Sequence, residues 1–131
     1  MEKQIIIPGE PMGKERPRTF MQHGMVLTYT PDKTRNYETL TRLIFKKKYG
    51  KELFPSREKP ISVKITAIFQ LPKRSKYEFP VKKPDADNIA KIVCDALNGL
   101  AWYDDAQITS LSVTKEWGTD PMVKVEWEVQ E

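Results

Sequence analysis

A chain of 131 residues with a net charge of +4 and a pI of about 9.1 has material for one hydrophobic core, and its basic balance favours an anionic partner without establishing one. No apolar run approaches the ~18 residues needed to span a bilayer, and MEKQIIIPGEP lacks the apolar stretch of a secretion signal, so no membrane partner and a cytoplasmic location are expected. Cys94 and His23 are the only residues of their kinds, which excludes an intrachain disulfide and a cysteine-based zinc site and leaves any Ser-His or Cys-His chemistry dependent on one histidine in a turn-like His-Gly pair.

In chain order, QIII at 4–7 reads as a strand stopped by Pro8-Gly9, and residues 18–29 as a hairpin turning at His23-Gly24. A helix is expected from Pro31-Asp32 to about Tyr49, with Asp32 as N-cap, Tyr37, Leu40 and Ile44 on one face, and Gly50 as its stop. Ile61, Val63, Ile65, Ala67, Phe69 and Leu71 alternate along the strongest strand pattern in the chain. A basic, proline-bounded loop follows at 72–84, long enough without structure to suggest a function. Residues 85–99 form the second helix, with Ile89, Ile92, Val93, Ala96, Leu97 and Leu100 as its core stripe and Gly99 at the C′ position. Strands at 108–117 and 122–129 close the chain, with GTDP between them reading as a hairpin turn. The expectation is one α+β domain over 1–131, a mixed or antiparallel sheet with two main helices packed on it.

Four aspartates surround the second helix: Asp85, Asp87, Asp104 and Asp105. With Ile89 placed at zero and 100° per residue, Asp87, Lys91 and Asp95 fall at about 160°, 200° and 240°, one stripe opposite the core. Capping and surface ion pairing account for much of this: Asp85 reads as an N-cap, Asp87 as a first-turn acid, Lys91 and Asp95 as a solvated pair. They do not account for Asp104 and Asp105, which follow the helix's end. Clustered carboxylates are usually tolerated around a hard divalent cation, and a metal bound there would convert an acidic site into one that binds and polarises a phosphodiester. Lys91 would then stabilise charge developing on the phosphate.

Basic residues cluster apart from the acids: Lys14, Arg16 and Arg18 in GKERPR, Lys46 to Lys48, and Lys73, Arg74, Lys76, Lys82 and Lys83 just before the acidic site. Each run reads either as solvated surface or as a contact to backbone phosphates. Trp102 and Tyr103 read as core packing beside a turn, and Phe79 as a candidate for stacking on a base.

Asp-x-Asp-Asn-x-x-Lys opening a helix, then Asp-Ala-Leu-Asn-Gly, Trp and Asp-Asp-x-Gln-Ile, resembles the RusA family of Holliday junction resolvases, and PGEPMGKERPRTF with YTPDKTRNYE extends the resemblance over nearly the whole chain. The resemblance implies a homodimeric endonuclease dependent on Mg²⁺, with Mn²⁺ as the other candidate ion, often prophage-encoded, that cuts four-way junction DNA symmetrically. It assigns Asp85, Asp87 and Asp105 as metal-binding carboxylates, Asp104 as a supporting acid, and Lys91 as the catalytic lysine. Exposed apolar residues of the first helix or of the final hairpin are candidates for the dimer surface. Two other readings remain open: a non-catalytic junction- or DNA-binding protein, and a nuclease acting on other branched DNA.

Overall fold

The computed structural model describes residues 2–51, 56–74 and 76–130. Among these the order is β1 (Glu2–Pro8), β2 (Arg18–Gln22), β3 (Met25–Tyr29), α1 (Asp32–Tyr49), β4 (Ile61–Gln70), α2 (Ala86–Leu97), a 3₁₀ turn at Asp105–Gln107, β5 (Ile108–Gly118) and β6 (Met122–Val129). This is the expected α+β domain with a mixed sheet and two helices.

β4 lies inside the sheet, as its alternation demands, with Ile61, Val63, Ile65, Ala67 and Phe69 buried; Leu71 falls past its end and is 48% exposed. The strand order is β1-β6-β4-β5, antiparallel except for β4 and β5, which run parallel. A parallel pair needs a crossover connection, and α2 supplies it. The buried faces of β1 (Ile5, Ile7) and β6 (Val123, Val125, Trp127) join β4 and the α2 stripe Ile89, Ile92, Val93 and Leu97 in one core. The opposite face carries Lys64, Lys124 and Glu126 together with Ile6, Ile68 and Met122, none of them buried, so the sheet is covered on one side only.

The structure departs from three local expectations: the last turn, the inward face of α1 and its N-cap. GTDP does not close a hairpin: β5 and β6 are separated by β4, which pairs with both. Residues 118–121 arch over the end of β4, where Leu71 N donates to the Gly118 carbonyl (2.9 Å) and Gly9 N to the Pro121 carbonyl (3.0 Å). Stepping across one strand requires about 10 Å, within reach of a four-residue connection. Turn chemistry specifies a reversal; whether the flanking strands become neighbours is decided by burial, and β6 covers its apolar face best between β1 and β4.

In α1 the buried residues are Thr34, Tyr37, Glu38, Thr41 and Phe45, whereas Leu40 is 38% exposed and Ile44 half-buried. Three polar residues share the inward stripe: Thr34 and Glu38 accept hydrogen bonds from Glu15 and Lys14 of the segment packed there, and the Thr41 hydroxyl donates to the Tyr37 carbonyl one turn back, so apolar periodicity alone turns the helix slightly off its true face. Pro31 occupies the N-cap, leaving Asp32 as the first helical residue, where its charge suits the dipole. Gly50, at φ 83°, ends the helix as expected. The hairpin of β2 and β3 turns at His23-Gly24, both with positive φ (52° and 74°), the twist that two-residue hairpin loops favour.

Candidate active site

α2 begins after Asp85, an extended N-cap residue (φ −70°, ψ 150°) whose carbonyl accepts from Ile89 N at 3.0 Å but whose carboxylate makes no capping bond. Asp85 is exposed, so its side chain remains available. The helix turns its apolar stripe into the core and leaves Asp87, Lys91 and Asp95 along a groove of about 410 Å³, whose far wall is Asp105 and the start of β5, Ile108 to Leu111. Lys91 Nζ donates to Asp95 Oδ1 at 3.2 Å. Asp87 and Asp95, eight residues apart, stand about 12 Å from each other along the axis.

The turn after α2 explains why the two adjacent acids differ. Gly99, at φ 81°, allows the chain to reverse, and its N–H donates to the Trp102 carbonyl (2.9 Å), so Trp102 drops fully buried onto Trp127. From there Trp102 Nε1 donates to Asp105 Oδ1 at 2.6 Å, while Asp105 N donates to Asn98 Oδ1 at 3.1 Å. Asp104 turns the other way: its carboxylate accepts from Ala106 N (3.1 Å), and Gln107 Oε1 accepts from Asp104 N (3.0 Å), a reciprocal capping box on the 3₁₀ turn. The first acid of the pair therefore builds the turn, and the second faces the groove.

Burial raises the Asp105 pKa above the ordinary carboxylate value; Trp102's hydrogen bond opposes this, Asp95 and Asp104 add to it, and Lys91 counters it. Cys94, beneath the groove, is pushed up to about 12 by burial first and then by Asp105 and Asp95, so it is a packed thiol rather than a nucleophile at neutral pH.

Two residues that sequence reasoning left outside the site belong to its support. Glu38, only 6% exposed, accepts from Lys14 Nζ at 2.7 Å, and the same ammonium lies 3.3 Å from Asp95 Oδ2. Lys14 N donates to the Asn88 carbonyl (2.9 Å), and Glu15 N to Thr34 Oγ1 (3.4 Å), so the segment around Lys14 is threaded between both helices. Burial works against the Lys14 charge, but Glu38 and Asp95 more than offset it and raise its pKa. The signal for Glu38 was an acid on the stripe of α1 shared with Tyr37 and Thr41; for Asp95 it was its place on the Asp87–Lys91 stripe.

The other basic residues stand apart from the groove. Arg16 and Arg18 are both exposed, the latter 3.5 Å from Glu15. Lys73, Arg74, Lys76, Lys82 and Lys83 are all exposed on the loop leading to Asp85, and Phe79 is 54% exposed on the same loop. Tyr103 lies beneath Arg57, whose guanidinium carbon is 4.0 Å from the ring centroid.

Among the described residues no three acidic, histidine or cysteine side chains gather closely enough to hold one metal ion as they stand. The spacing of the acids along α2 accounts for this. The donor chemistry nevertheless fits a hard cation: the available groups are carboxylate oxygens, and the charges of Asp95 and Asp104 act against that of Asp105.

The model of the family described as Endodeoxyribonuclease RusA matches residues 8–128. The chain is also 30% identical over 134 aligned positions to the Bacillus subtilis (strain 168) protein "Uncharacterized protein YqaN", an alignment covering 93% of this chain and 92% of that one.

Proposed function

Because the chain belongs to the RusA endodeoxyribonuclease family, we propose that it is a divalent-metal-dependent nuclease that resolves four-way DNA junctions by paired symmetric cuts. The observation that supports this most is the groove lined by Asp87, Lys91, Asp95 and Asp105 in a chain of a nuclease family. Asp85, Asp87 and Asp105 are the carboxylates assigned to Mg²⁺ or Mn²⁺; Asp104, engaged as a cap, supports Asp105 and adds negative potential. A metal held there would polarise the scissile phosphate and lower the pKa of an attacking water. Lys91 is then a cation held in reserve by Asp95, able to turn towards phosphate charge as it develops. Lys14 is a positioning residue: it fixes Asp95, and through Asp95 the resting place of Lys91. Arg16, Arg18 and the basic loop contact backbone phosphates.

The partner we propose beside junction DNA is a second copy of the chain, because two equivalent scissile phosphates related by a two-fold axis call for two sites related in the same way. Its surface is assigned to the hairpin of β2 and β3, where Met21, Val26 and Met25 are 71%, 68% and 60% exposed. Met21→Glu should then shift the sedimenting species from dimer to monomer, and an unchanged dimer moves the interface elsewhere. No described helix is long and apolar enough to cross a membrane; the proposed setting is a prophage-encoded recombination and repair enzyme in the cytoplasm.

The test is incubation with a labelled mobile four-way junction beside matched linear duplex, with Mg²⁺ or with EDTA, followed by a denaturing gel. Paired nicks on the junction alone and only with metal are expected. Tight junction binding without nicks under any divalent ion would make this a binding module, and nicks on flaps or other branches in preference to junctions would redirect the substrate.

A further inference from the structure

The loop at 72–84 is strapped to the strands behind it. Trp117 Nε1 on β5 donates to the Tyr77 carbonyl at 3.1 Å, and Lys115 Nζ donates to the carbonyls of Lys82 (2.6 Å) and Pro84 (2.8 Å). Between loop and strands is a second cavity of about 410 Å³, separate from the acidic groove. Phe69, Tyr77 and Trp117 give it aromatic walls, Arg74, Lys76, Lys82 and Lys83 give it a basic rim, and among the described residues no acidic side chain lines it.

We propose that this cavity receives one unstacked nucleotide of the DNA beside the cut, with the base against Trp117 and Tyr77 and the flanking phosphates on the basic rim. Three observations carry this. The volume lies near the lower end of the roughly 300–1,000 Å³ of small-molecule sites, suited to a single nucleotide rather than a stack. Planar aromatic walls with an all-cationic rim are the combination that binds unpaired nucleotides through stacking and phosphate neutralisation. The chain places the cavity beside the carboxylates: Lys83 and Asp85 are two residues apart, so their Cα atoms lie within about 7 Å.

The inference rests on the junction-cutting reading and adds a source of selectivity to it. Bases at a branch point have their stacking interrupted, so withdrawing one costs less there than inside a continuous duplex. A nuclease that seats one such base before its carboxylates engage discriminates against linear DNA, and the walls of the cavity then impose a preference for the base beside the cut.

The test couples DNA positions to protein residues. Junctions carrying a single abasic site, scanned across the branch, are bound by the wild-type protein and by Tyr77→Ala, Arg74→Ala and Trp117→Leu. Tyr77→Ala keeps the backbone carbonyl that accepts from Trp117 and changes a side chain that is 49% exposed, so it carries the test if Trp117→Leu does not fold. At one position next to the branch, base removal should weaken wild-type binding by roughly ten-fold and Tyr77→Ala binding by little or nothing. The same abasic penalty in wild type and Tyr77→Ala at every position, with junctions still bound and nicked, overturns the nucleotide cavity alone. Failure of the wild-type protein to bind or nick any branched DNA overturns the proposed function, and the cavity's assignment with it.

Discussion

At Gly13 the basic N-terminal segment packs closely on the start of the acidic helix, and Gly13→Ala tests whether that approach holds the site together. A Cβ built on Gly13 lies 2.9 Å from Pro84 Cβ and 3.0 Å from Asn88 Cβ. Ordinary carbon contacts begin near 3.5 Å, so the segment must retreat by about 0.6 Å. Neither obstacle can swing away, because each is a Cβ fixed to its own backbone. Overpacking of this kind costs about 1–3 kcal/mol. The backbone at Gly13 lies outside the left-handed region, so alanine also reduces unfolded-state entropy, offsetting about 0.4–1 kcal/mol. Straining the adjacent bond from Lys14 N to the Asn88 carbonyl adds about 0.5–1.5 kcal/mol to the loss. The steric side prevails, leaving a net destabilisation of about 1–3 kcal/mol. For a chain of 131 residues, that is a fall in Tm of roughly 4–12 °C, read by thermal or urea unfolding. Junction cleavage measured well below Tm should fall as well, since Lys14 is displaced from Asp95. A variant with Tm equal to or above that of the wild type would refute the reasoning, because the entropy gain would then exceed any clash.

Asp105→Asn keeps an acceptor for Trp102 and removes a charge whose folded pKa is raised, principally by burial. A carboxyl with a raised folded pKa loses stability as pH rises through the window between its unfolded and folded values. The metal-free variant should therefore unfold at a higher temperature than the wild type at pH 7, the gap closing below the ordinary carboxylate range, while cleavage is abolished and junction binding is retained; a lower Tm at pH 7 contradicts the electrostatic account. Lys91→Ala should reduce the single-turnover rate far more than junction affinity, and equal losses would make Lys91 a plain phosphate contact. Arg18→Ala should lower the slope of log affinity against log salt by about 0.9 if the residue neutralises one duplex phosphate; an unchanged slope returns it to solvated surface. Cys94, with its thiol pushed up to about 12, should resist a disulfide reagent at pH 8 until urea unfolds the protein, and fast labelling of the native protein would disprove its burial.

Much of this structure was legible because its signals are local. The alternation of Ile61 to Phe69, the stripe from Ile89 to Leu97 and the glycines at 24, 50 and 99 each depend on a few neighbouring residues, and each reads correctly. The errors share a different cause. Whether β5 and β6 would be neighbours depended on β4, about fifty residues upstream, which no turn motif can report. The inward face of α1 was misjudged because two of its buried polar residues, Glu38 and Thr34, are satisfied by Lys14 and Glu15, partners that approach only once the chain is folded. The site divides in the same way. Asp87 and Lys91 declare themselves by helical spacing, but the differing tasks of Asp104 and Asp105 follow from a capping box and a buried indole that spacing does not reveal. Lys14 looks like one more surface cation in GKERPR, and only its ion pairs with Glu38 and Asp95 set it apart.

The place of β6 between β1 and β4 also constrains when the nuclease can exist. Chains emerge from the ribosome N-terminus first, at about 5–20 residues per second. Until residues as far as Val129 have emerged, β1 has no neighbouring strand and β4 has one face-pairing edge open, although the acidic helix and its turn have long been synthesised. A partly made chain thus carries all of the carboxylates with no completed sheet to fix them. In a fold of this order, the strand that completes the sheet also sets the moment at which the carboxylates acquire a fixed support.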